Sequence, residues 1–375
     1  MIVGSTFAYV VLIVFACAWI VQMVFHWGVF SRLAFYKKKI TKSTDCEPVS
    51  VVVCARDAYD GLVHLVPKLI SQDYPVFEII IVNDCSEDET AEYLKNVVRK
   101  HKNVSVVSLT QHLNFFRGKK FPLSMGIKSA KYDLLLLTDA DCVPTDNQWI
   151  KLMVGSYGTS TELVLGYGPY MQRKTLLNKL IRFDTLYTAM QYLSMALCRH
   201  PYMGVGRNLS YRKSTFYKNK GFTSHYGIAS GDDDLFVSQA ANHWNTEVSI
   251  EAETRVESEP KSTFGSWLRQ KRRHYSTGLS YKPETQLLLG LLLSSRLLYY
   301  TLLIFLLCMA ADFGVYVLGA ALIHYITQVT IYSLSAKKLG EKNLCLIFTP
   351  FYDCFFTIFT TVMGFLGSIF KPKSW

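Results

Sequence analysis

The sequence predicts an α/β domain carried between apolar segments long enough to cross a membrane. Three observations lead there. Half of the 375 residues are hydrophobic and only 18% are charged, against about 25% in a soluble domain, and the apolar excess is gathered at the two ends of the chain. Between residues 45 and 260, short β-branched runs alternate with helical stretches, the pattern of a parallel sheet covered by helices on both faces. Acidic residues fall at the ends of those runs, where open α/β sheets bind ligands. The low charge excludes a disordered or nucleic-acid tail protein, whose chains are polar and charge-rich. The net charge of +11, from 40 Lys+Arg against 29 Asp+Glu, therefore needs another explanation.

No Lys, Arg, Asp or Glu occurs from Met1 to Ser31, and about 20 apolar residues suffice for a helix to cross a bilayer. A cleavable signal would show a basic start, a shorter apolar region and a small-residue cleavage site. Residues 1–31 are expected to be a retained anchor. Toward the other end, Arg296 and Asp312 are the only charged residues between Gln286 and Ala336. This reads as a helical hairpin, about 287–310 and 313–335, turning at Ala311-Asp312-Phe313-Gly314. The block from Cys345 to Phe370 carries one charge, Asp353, and is expected to be a fourth span, with Pro350 as a point of kinking or partial re-entry. About three spans are thus assigned to 287–370.

Basic residues beside spans stay on the cytoplasmic side. Arg32, Lys37, Lys38, Lys39 and Lys42 follow the first span, and Lys337, Lys338 and Lys342 follow the third. Both clusters are expected to place the 45–260 domain in the cytoplasm, on the inner or plasma membrane if the source is bacterial. The nine cysteines show no CxxC or Cys/His metal spacing and read as small buried hydrophobes in a reducing compartment.

The domain is justified run by run. PVSVVVCA (48–55) has the composition of a strand buried on both faces. A helix over about 60–72 follows, then a second strand, FEIIIVND (77–84). Ser86 is the expected N-cap of the next helix. NVSVVSL (103–109) reads as a third strand, GKKFPLSMGIKSA as a helix and YDLLLLTDADC (132–142) as a fourth strand. Polar residues stand at the strand ends: Ala55-Arg56-Asp57, Asn83-Asp84 and Asp139-Ala140-Asp141. Alternate residues of an extended segment share a face, so Asp139 and Asp141 are expected to aim two carboxylates at one Mg²⁺ or Mn²⁺ bound to a phosphate. Ser230-Gly231-Asp232-Asp233-Asp234-Leu235-Phe236 opens a further helix with more acid than a cap needs, and mutual repulsion raises one carboxyl toward a useful base. The stretch Trp267 to Tyr275 is basic and adjoins the hairpin. It and Lys174–Arg199 are expected to lie at the membrane interface, the first within an amphipathic segment, 261–284.

VSVVVCARDAYDGLVHLVPKLISQDYP, EIIIVNDCSEDET, RGKKFPLSMGIKSA, LLLLTDADC, SGDDDLF and QKRRH stand in this order. Together they resemble membrane-bound family 2 glycosyltransferases, the group of cellulose, chitin and hyaluronan synthases and of ceramide glucosyltransferase. The resemblance covers about residues 48–280 and implies a GT-A, Rossmann-like fold that binds a nucleotide-sugar. It implies that Asp57 and Asp84, with Ala55 and Arg56 beside them, hold the uracil and ribose of a UDP-sugar. Lys119 is implied near the nucleotide diphosphate, with Lys120 as the neighbouring alternative. Asp139 and Asp141 match the metal-binding D-x-D, Asp139 also facing the nucleotide, with Mn²⁺ or Mg²⁺ as cofactor.

Aligning the family's Glu-Asp-x-Asp-Leu on Asp234-Leu235 makes Asp232 the general base, and Gly231 in place of the Glu leaves Asp233 as a competitor. Gln270, Arg273 and His274 match Q-x-x-R-W beside the diphosphate and acceptor, with His replacing Trp. Arg273 is suited to bidentate phosphate binding, whereas His offers less surface for acceptor stacking. Gly204 to Ser210 (GVGRNLS) resembles the segment lining the sugar and acceptor side.

The implied chemistry is inverting transfer of a sugar to a membrane-associated lipid or glycan, with no nucleic acid involved. Single transfer to a lipid and processive polymer synthesis both fit. Four spans are few for a secretion channel, which favours the lipid. A non-catalytic scaffold conflicts with the filled acidic positions, and a nucleotide-driven transport module conflicts with the lack of a GxxxxGK[ST] loop.

Overall fold

The structure is a computed structural model and describes residues 2–37, 46–110, 118–228, 230–309 and 313–369. The chain begins with helix α1 (Ile2–Val24), a π-helical turn (Phe25–Phe30) and α2 (Ser31–Ala34). The sheet region follows: β1 (Val49–Ala55), α3 (Tyr59–Ile70), β2 (Phe77–Asp84), α4 (Thr90–Lys100), β3 (Val104–Leu109), α5 (Lys120–Ser129), β4 (Leu134–Asp139), β5 (Cys142–Pro144), α6 (Trp149–Val154) and β6 (Leu163–Gly166). Next come α7 (Leu176–Leu197), β7 (Leu209–Arg212), α8 (Lys213–Lys218), α9 (Asp234–Ala240), β8 (Thr246–Ser249) and β9 (Val256–Ser258). The chain closes with α10 (Phe264–Tyr275), α11 (Pro283–Met309), α12 (Gly314–Lys338) and α13 (Thr349–Ile369).

The main sheet has the order β3-β2-β1-β4-β7-β6-β8, and β5 pairs with β9 apart from it. Its first four strands are parallel, as expected. The remainder corrects the all-parallel expectation: β7 runs antiparallel to both β4 and β6. All seven residues of β1 are buried because alternate side chains feed different cores. Val52 and Cys54 pack with Leu123 and Ile127 of α5. Val51 and Val53 pack with Leu62 and Leu65 of α3. At Gly126, an added Cβ would lie 2.6 Å from Val52 Cγ1, so only glycine lets α5 seat this closely on the sheet.

Ser86 does not cap α4. Its hydroxyl accepts the Asp57 N–H at 3.0 Å, and Asp88 Oδ1 accepts the Thr90 N–H at the helix start. The chain also turns at Ala140-Asp141, so 132–142 is not one strand.

Among the described residues, four helices are long and apolar enough to cross a membrane: Thr6–Ala34, Pro283–Cys308, Gly314–Lys338 and Leu346–Leu366. The expected turn residues Ala311 and Asp312, and the basic residues Lys38, Lys39 and Lys42, lie outside the described residues. Pro350 occupies the first turn of α13, where a missing N–H interrupts no helical bond, and the helix continues to Ile369. Arg296 and Asp353 pair across α11 and α13 at 3.3 Å.

The expectation of an interfacial α7 is corrected. Its Phe183 stacks on Tyr352 at 4.6 Å and on Phe356 at 5.6 Å, and Arg182 pairs with Glu341 after α12 at 2.5 Å. Apolar residues cover most of its circumference, so it is buried between sheet and spans. The α10 helix buries Trp267, which stacks on Phe359 of α13 at 4.9 Å, and leaves the rest of its surface partly exposed.

Candidate active site

The carboxyl ends of β1, β2 and β4 meet at one crevice, because parallel strands in register end together. The loops after β1 and β2 are stitched to each other. The Glu87 N–H donates to Asp57 Oδ1 at 2.8 Å, and the Tyr59 N–H donates to Asp88 Oδ2 at 3.1 Å. This holds Asp57 in a left-handed conformation, φ 45°, with its carboxylate at the rim. Gly61 lets the start of α3 press on the turn after β4; a Cβ there would fall 2.4 Å from Ala140 O.

A cavity of about 950 Å³ opens at this end. Arg56, Asp57, Lys119, Asp139, Asp141, Asp232, Asp233, Gln270, Arg273 and His274 all line it. The sequence-predicted residues Ala55 and Asp84 do not. They end β1 and β2 as buried residues beneath the crevice.

The ammonium of Lys119 donates to Asp139 Oδ1 and lies 3.9 Å from Asp232 Oδ2. Burial pulls its pKa down, but the Asp139 and Asp232 carboxylates outweigh this and hold it well above the ordinary lysine value. Asp139 is shifted the other way. Burial raises it, yet Lys119, Arg207 and Arg273 keep it below the usual carboxylate range and therefore ionised.

Asp139, Asp141 and Cys142 place potential ligand atoms within 4.8 Å of one another. Convergence comes from the turn at Ala140-Asp141, not from the pleat alternation expected of an extended D-x-D. Burial, with Asp141 and Asp139 nearby, holds the Cys142 thiol well above its usual pKa. It stays protonated, hydrogen-bonded with Ser258 Oγ at 3.0 Å, which leaves two carboxylates as the donor set. Hard oxygen ligands of this kind fit Mg²⁺ or Mn²⁺, cations that complete their coordination with water and phosphate.

The acidic motif is built on Gly231, whose φ of +99° is open to glycine. A Cβ there would meet Leu235 Cδ1 at 2.5 Å, so the Glu of the family pattern has no room. Asp233 caps α9: its Oδ1 accepts the Asp234 N–H at 2.8 Å and its Oδ2 the Gly206 N–H at 2.7 Å. Burial, then Asp232 and Asp234, push its carboxyl up to about 7. Asp234 turns away to accept from Thr277 Oγ1 at 2.5 Å and Tyr281 OH at 2.8 Å. Asp232 thus faces Lys119 and the cavity, while the backbone occupies both oxygens of Asp233. Lys120 corrects the sequence reading: it is buried and does not line the cavity.

The opposite wall comes from α10 and the segment before β7. Gln270 Nε2 donates to Tyr170 OH at 3.0 Å, and Arg207 stacks on the Tyr170 ring at 4.4 Å. Among the described residues, no ion pair engages Arg207 or Arg273, and Arg273 Nε is buried without a partner. His274 is open to the cavity. Enclosure by protein, then Lys271, Arg273 and Arg207, hold its pKa well below the imidazole range, leaving it neutral. Lys271 pairs with Asp184 of α7 at 2.5 Å.

Beyond Tyr187, Gln191 and Tyr275 the same cavity reaches Leu289, Gly290, Leu293 and Arg296 of α11 and Thr360 and Gly364 of α13. Sequence reasoning missed Asp88, Asp184, Lys271 and this span lining. Lys271 was visible only as part of a basic run; its partner Asp184 lies 87 residues away in sequence, so no local signal joins them.

This is a GT-A fold with a cavity at the carboxyl ends of its parallel strands. The chain belongs to the family 2 glycosyltransferases: residues 50–218 match Glycosyl transferase family 2, and residues 139–366 match Glycosyl transferase family group 2. A poly-beta-1,6-N-acetyl-D-glucosamine synthase of Staphylococcus epidermidis is 30% identical over 133 residues, 34% of this chain and 30% of that protein. An uncharacterized glycosyltransferase of Haemophilus influenzae is 29% identical over 128 residues, 34% of this chain and 38% of that protein. The matched region thus spans about a third of each relative. A mannosyltransferase from Pyrobaculum calidifontis, solved with GDP-Man and Mn²⁺, shares the fold, with a TM-score of 0.57 at 15% identity over 90% of this chain and 99% of that one.

Proposed function

We propose that this glycosyltransferase moves one sugar from a nucleotide diphosphate-sugar, a UDP-sugar, to a lipid held in the membrane, inverting the anomeric centre. The observation that carries the reading is the single cavity joining the strand-end carboxylates to α11 and α13. A water-soluble acceptor has no need of a route lined by Leu289, Gly290, Leu293 and Gly364. The chain divides accordingly into an anchor (1–31), a cytoplasmic catalytic domain (45–260), a connecting segment (261–284) and the C-terminal spans (287–370). Lys37, Lys337, Lys338 and Lys342 support the cytoplasmic side for the catalytic domain.

Asp57 and Arg56 at the rim hold the nucleoside, with Asp84 supporting from beneath. Asp141, with Asp139, would hold a divalent cation, whose charge offsets that of the diphosphate when bound. Arg273 and Arg207 present unpaired guanidinium groups to the same oxygens, and Lys119 adds an ammonium. Asp232 takes the proton of the acceptor hydroxyl as that oxygen attacks the anomeric carbon from the face opposite the nucleotide, the bond from that carbon to the diphosphate oxygen breaks, and UDP leaves with the electron pair. One displacement inverts the centre, with no covalent sugar–enzyme bond.

The test is nucleotide release by the purified full chain in detergent, with lipid extract, screened across UDP- and GDP-sugars. UDP release that requires lipid and stops with chelator supports the reading. No release from any UDP-sugar overturns the donor assignment. Similarity to the poly-beta-1,6-N-acetyl-D-glucosamine synthase favours a second reading, processive synthesis. A ladder of products from one donor would establish it in place of single transfer. Protease cleavage within 45–280 from outside sealed cells would refute the orientation.

A further inference from the structure

Two lysines stand side by side at the start of α5, and the fold sends them to different places. Lys119 faces the cavity. Lys120 is 1% exposed, and its ammonium donates to three backbone carbonyls: His225 O at 2.7 Å, Ile228 O at 2.7 Å and Ser230 O at 2.6 Å. An ammonium has three N–H donors and accepts nothing, so these carbonyls saturate it. All three belong to the segment that runs directly into Gly231-Asp232-Asp233. The α5 helix touches that segment again one turn later, where Ser124 Oγ and Tyr226 OH lie 3.3 Å apart.

The arrangement is unfavourable by itself. Burial pulls the Lys120 pKa down to about 8, against the opposing pull of Asp232, Asp234 and Asp233. The side chain also stands in the first turn of a helix, at the positive end of its dipole. An apolar residue would fill the space without that penalty, but it would take the ammonium from the Ile228 and Ser230 carbonyls and leave His225 O only the Ile228 N–H at 3.1 Å. What the ammonium supplies is a fixed point at which the segment's carbonyls converge.

We propose that Lys120 is a positioning residue: by gathering the carbonyls of His225, Ile228 and Ser230 it sets the backbone that presents Asp232 to Lys119 and the cavity. It does so without touching donor or acceptor. The two neighbouring lysines then divide the work, Lys119 tying Asp232 to the D-x-D turn and Lys120 holding the loop that carries Asp232. The proposal rests on the reading of Asp232 as the base.

The test compares Lys120→Met and Lys120→Arg in the full chain, with Asp232→Asn measured alongside. In Lys120→Met, kcat for transfer is expected to fall at least tenfold, while UDP affinity and the donor KM change less than about twofold. Hydrogen exchange across 225–234 rises, and Lys120→Arg, which keeps the charge and several donors, recovers part of the turnover. Normal turnover in Lys120→Met overturns the proposal, as does loss of UDP affinity in step with turnover. If Asp232→Asn itself keeps normal turnover, the assignment of the base fails first; if Asp232→Asn is inactive and Lys120→Met is active, only the positioning role fails. Should Lys120→Met not fold, Lys120→Gln, which keeps two N–H donors, takes its place with the same expected split.

Discussion

The ammonium of Lys119 donates to Asp139 while standing 3.9 Å from the Asp232 carboxylate. One buried cation thus links the D-x-D turn after β4 to the acidic motif before α9, over 90 residues further along the chain. Asp232 is thereby held toward the cavity. Replacing it with Asn keeps the shape and removes the proton acceptor. Turnover should fall by about 100- to 10,000-fold, the usual contribution of a general base, with nucleotide affinity kept. A single-turnover assay checks this, and an unchanged rate would move the role to Asp233.

Asp233 predicts a pH dependence of stability. Its folded carboxyl titrates at about 7 against an ordinary value of 3.8. Between those values the unfolded chain has released the proton and the folded chain still holds it, so rising pH favours unfolding. The contribution is fully present below pH 4 and lost by the time pH passes 7. Asp233→Asn cannot titrate, so the Tm difference between variant and wild type should shift in the variant's favour from pH 4 to 7 and then level off. A difference independent of pH contradicts the prediction.

Gly231→Ala tests the turn beneath the acids. A positive φ at a non-glycine residue costs roughly 1–3 kcal/mol, and the added methyl meets Leu235 Cδ1 at 2.5 Å. The variant should melt earlier and lose activity through displacement of Asp232. Gly231→Ala with Leu235→Ala should relieve the clash and leave the backbone cost. Full recovery in the double variant would mean that φ is not the constraint.

Arg296 and Asp353 predict a different kind of coupling. Their side chains are 3% and 1% exposed and 3.3 Å apart, and Asp353 also accepts from Tyr300 at 2.9 Å and Gln328 at 3.0 Å. Removing one partner of a buried pair costs about 3–5 kcal/mol, whereas replacing both with apolar residues is often neutral. Asp353→Ala should therefore destabilise the detergent-purified protein strongly, and Arg296→Met with Asp353→Leu should restore much of the loss. Thermal melts of the three forms decide it, and additive losses would rule out the pairing.

Much of this architecture was legible locally. The runs of Val, Ile and Leu in β1, β2 and β4 allow little except buried strands, and polar residues directly after them could only end up at one edge. The Asp139-Ala140-Asp141 pair was legible as a site, but its geometry was not, because a pleat and a turn both bring alternate carboxylates together. Lys119 and Lys120 were indistinguishable: adjacent positions at a helix start differ by about 100° in direction, and only the packed loop decides which faces the cavity. The apolar α7 looked interfacial because composition cannot tell a lipid surface from an apolar protein surface.

By itself, the sequence determined the alternation of strands and helices, the four apolar segments, and the set of acids and bases available for sugar transfer. These follow from short-range facts: side-chain period, β-branching, segment length and the residue types at strand ends. The tertiary structure decided that β7 runs antiparallel, that α7 is buried between sheet and spans, that Trp267 of α10 packs on α13, that Asp84 lies beneath the crevice and that the cavity continues into the span bundle. Each depends on contacts between residues far apart in the chain, whose energies arise only once the elements pack and water is excluded.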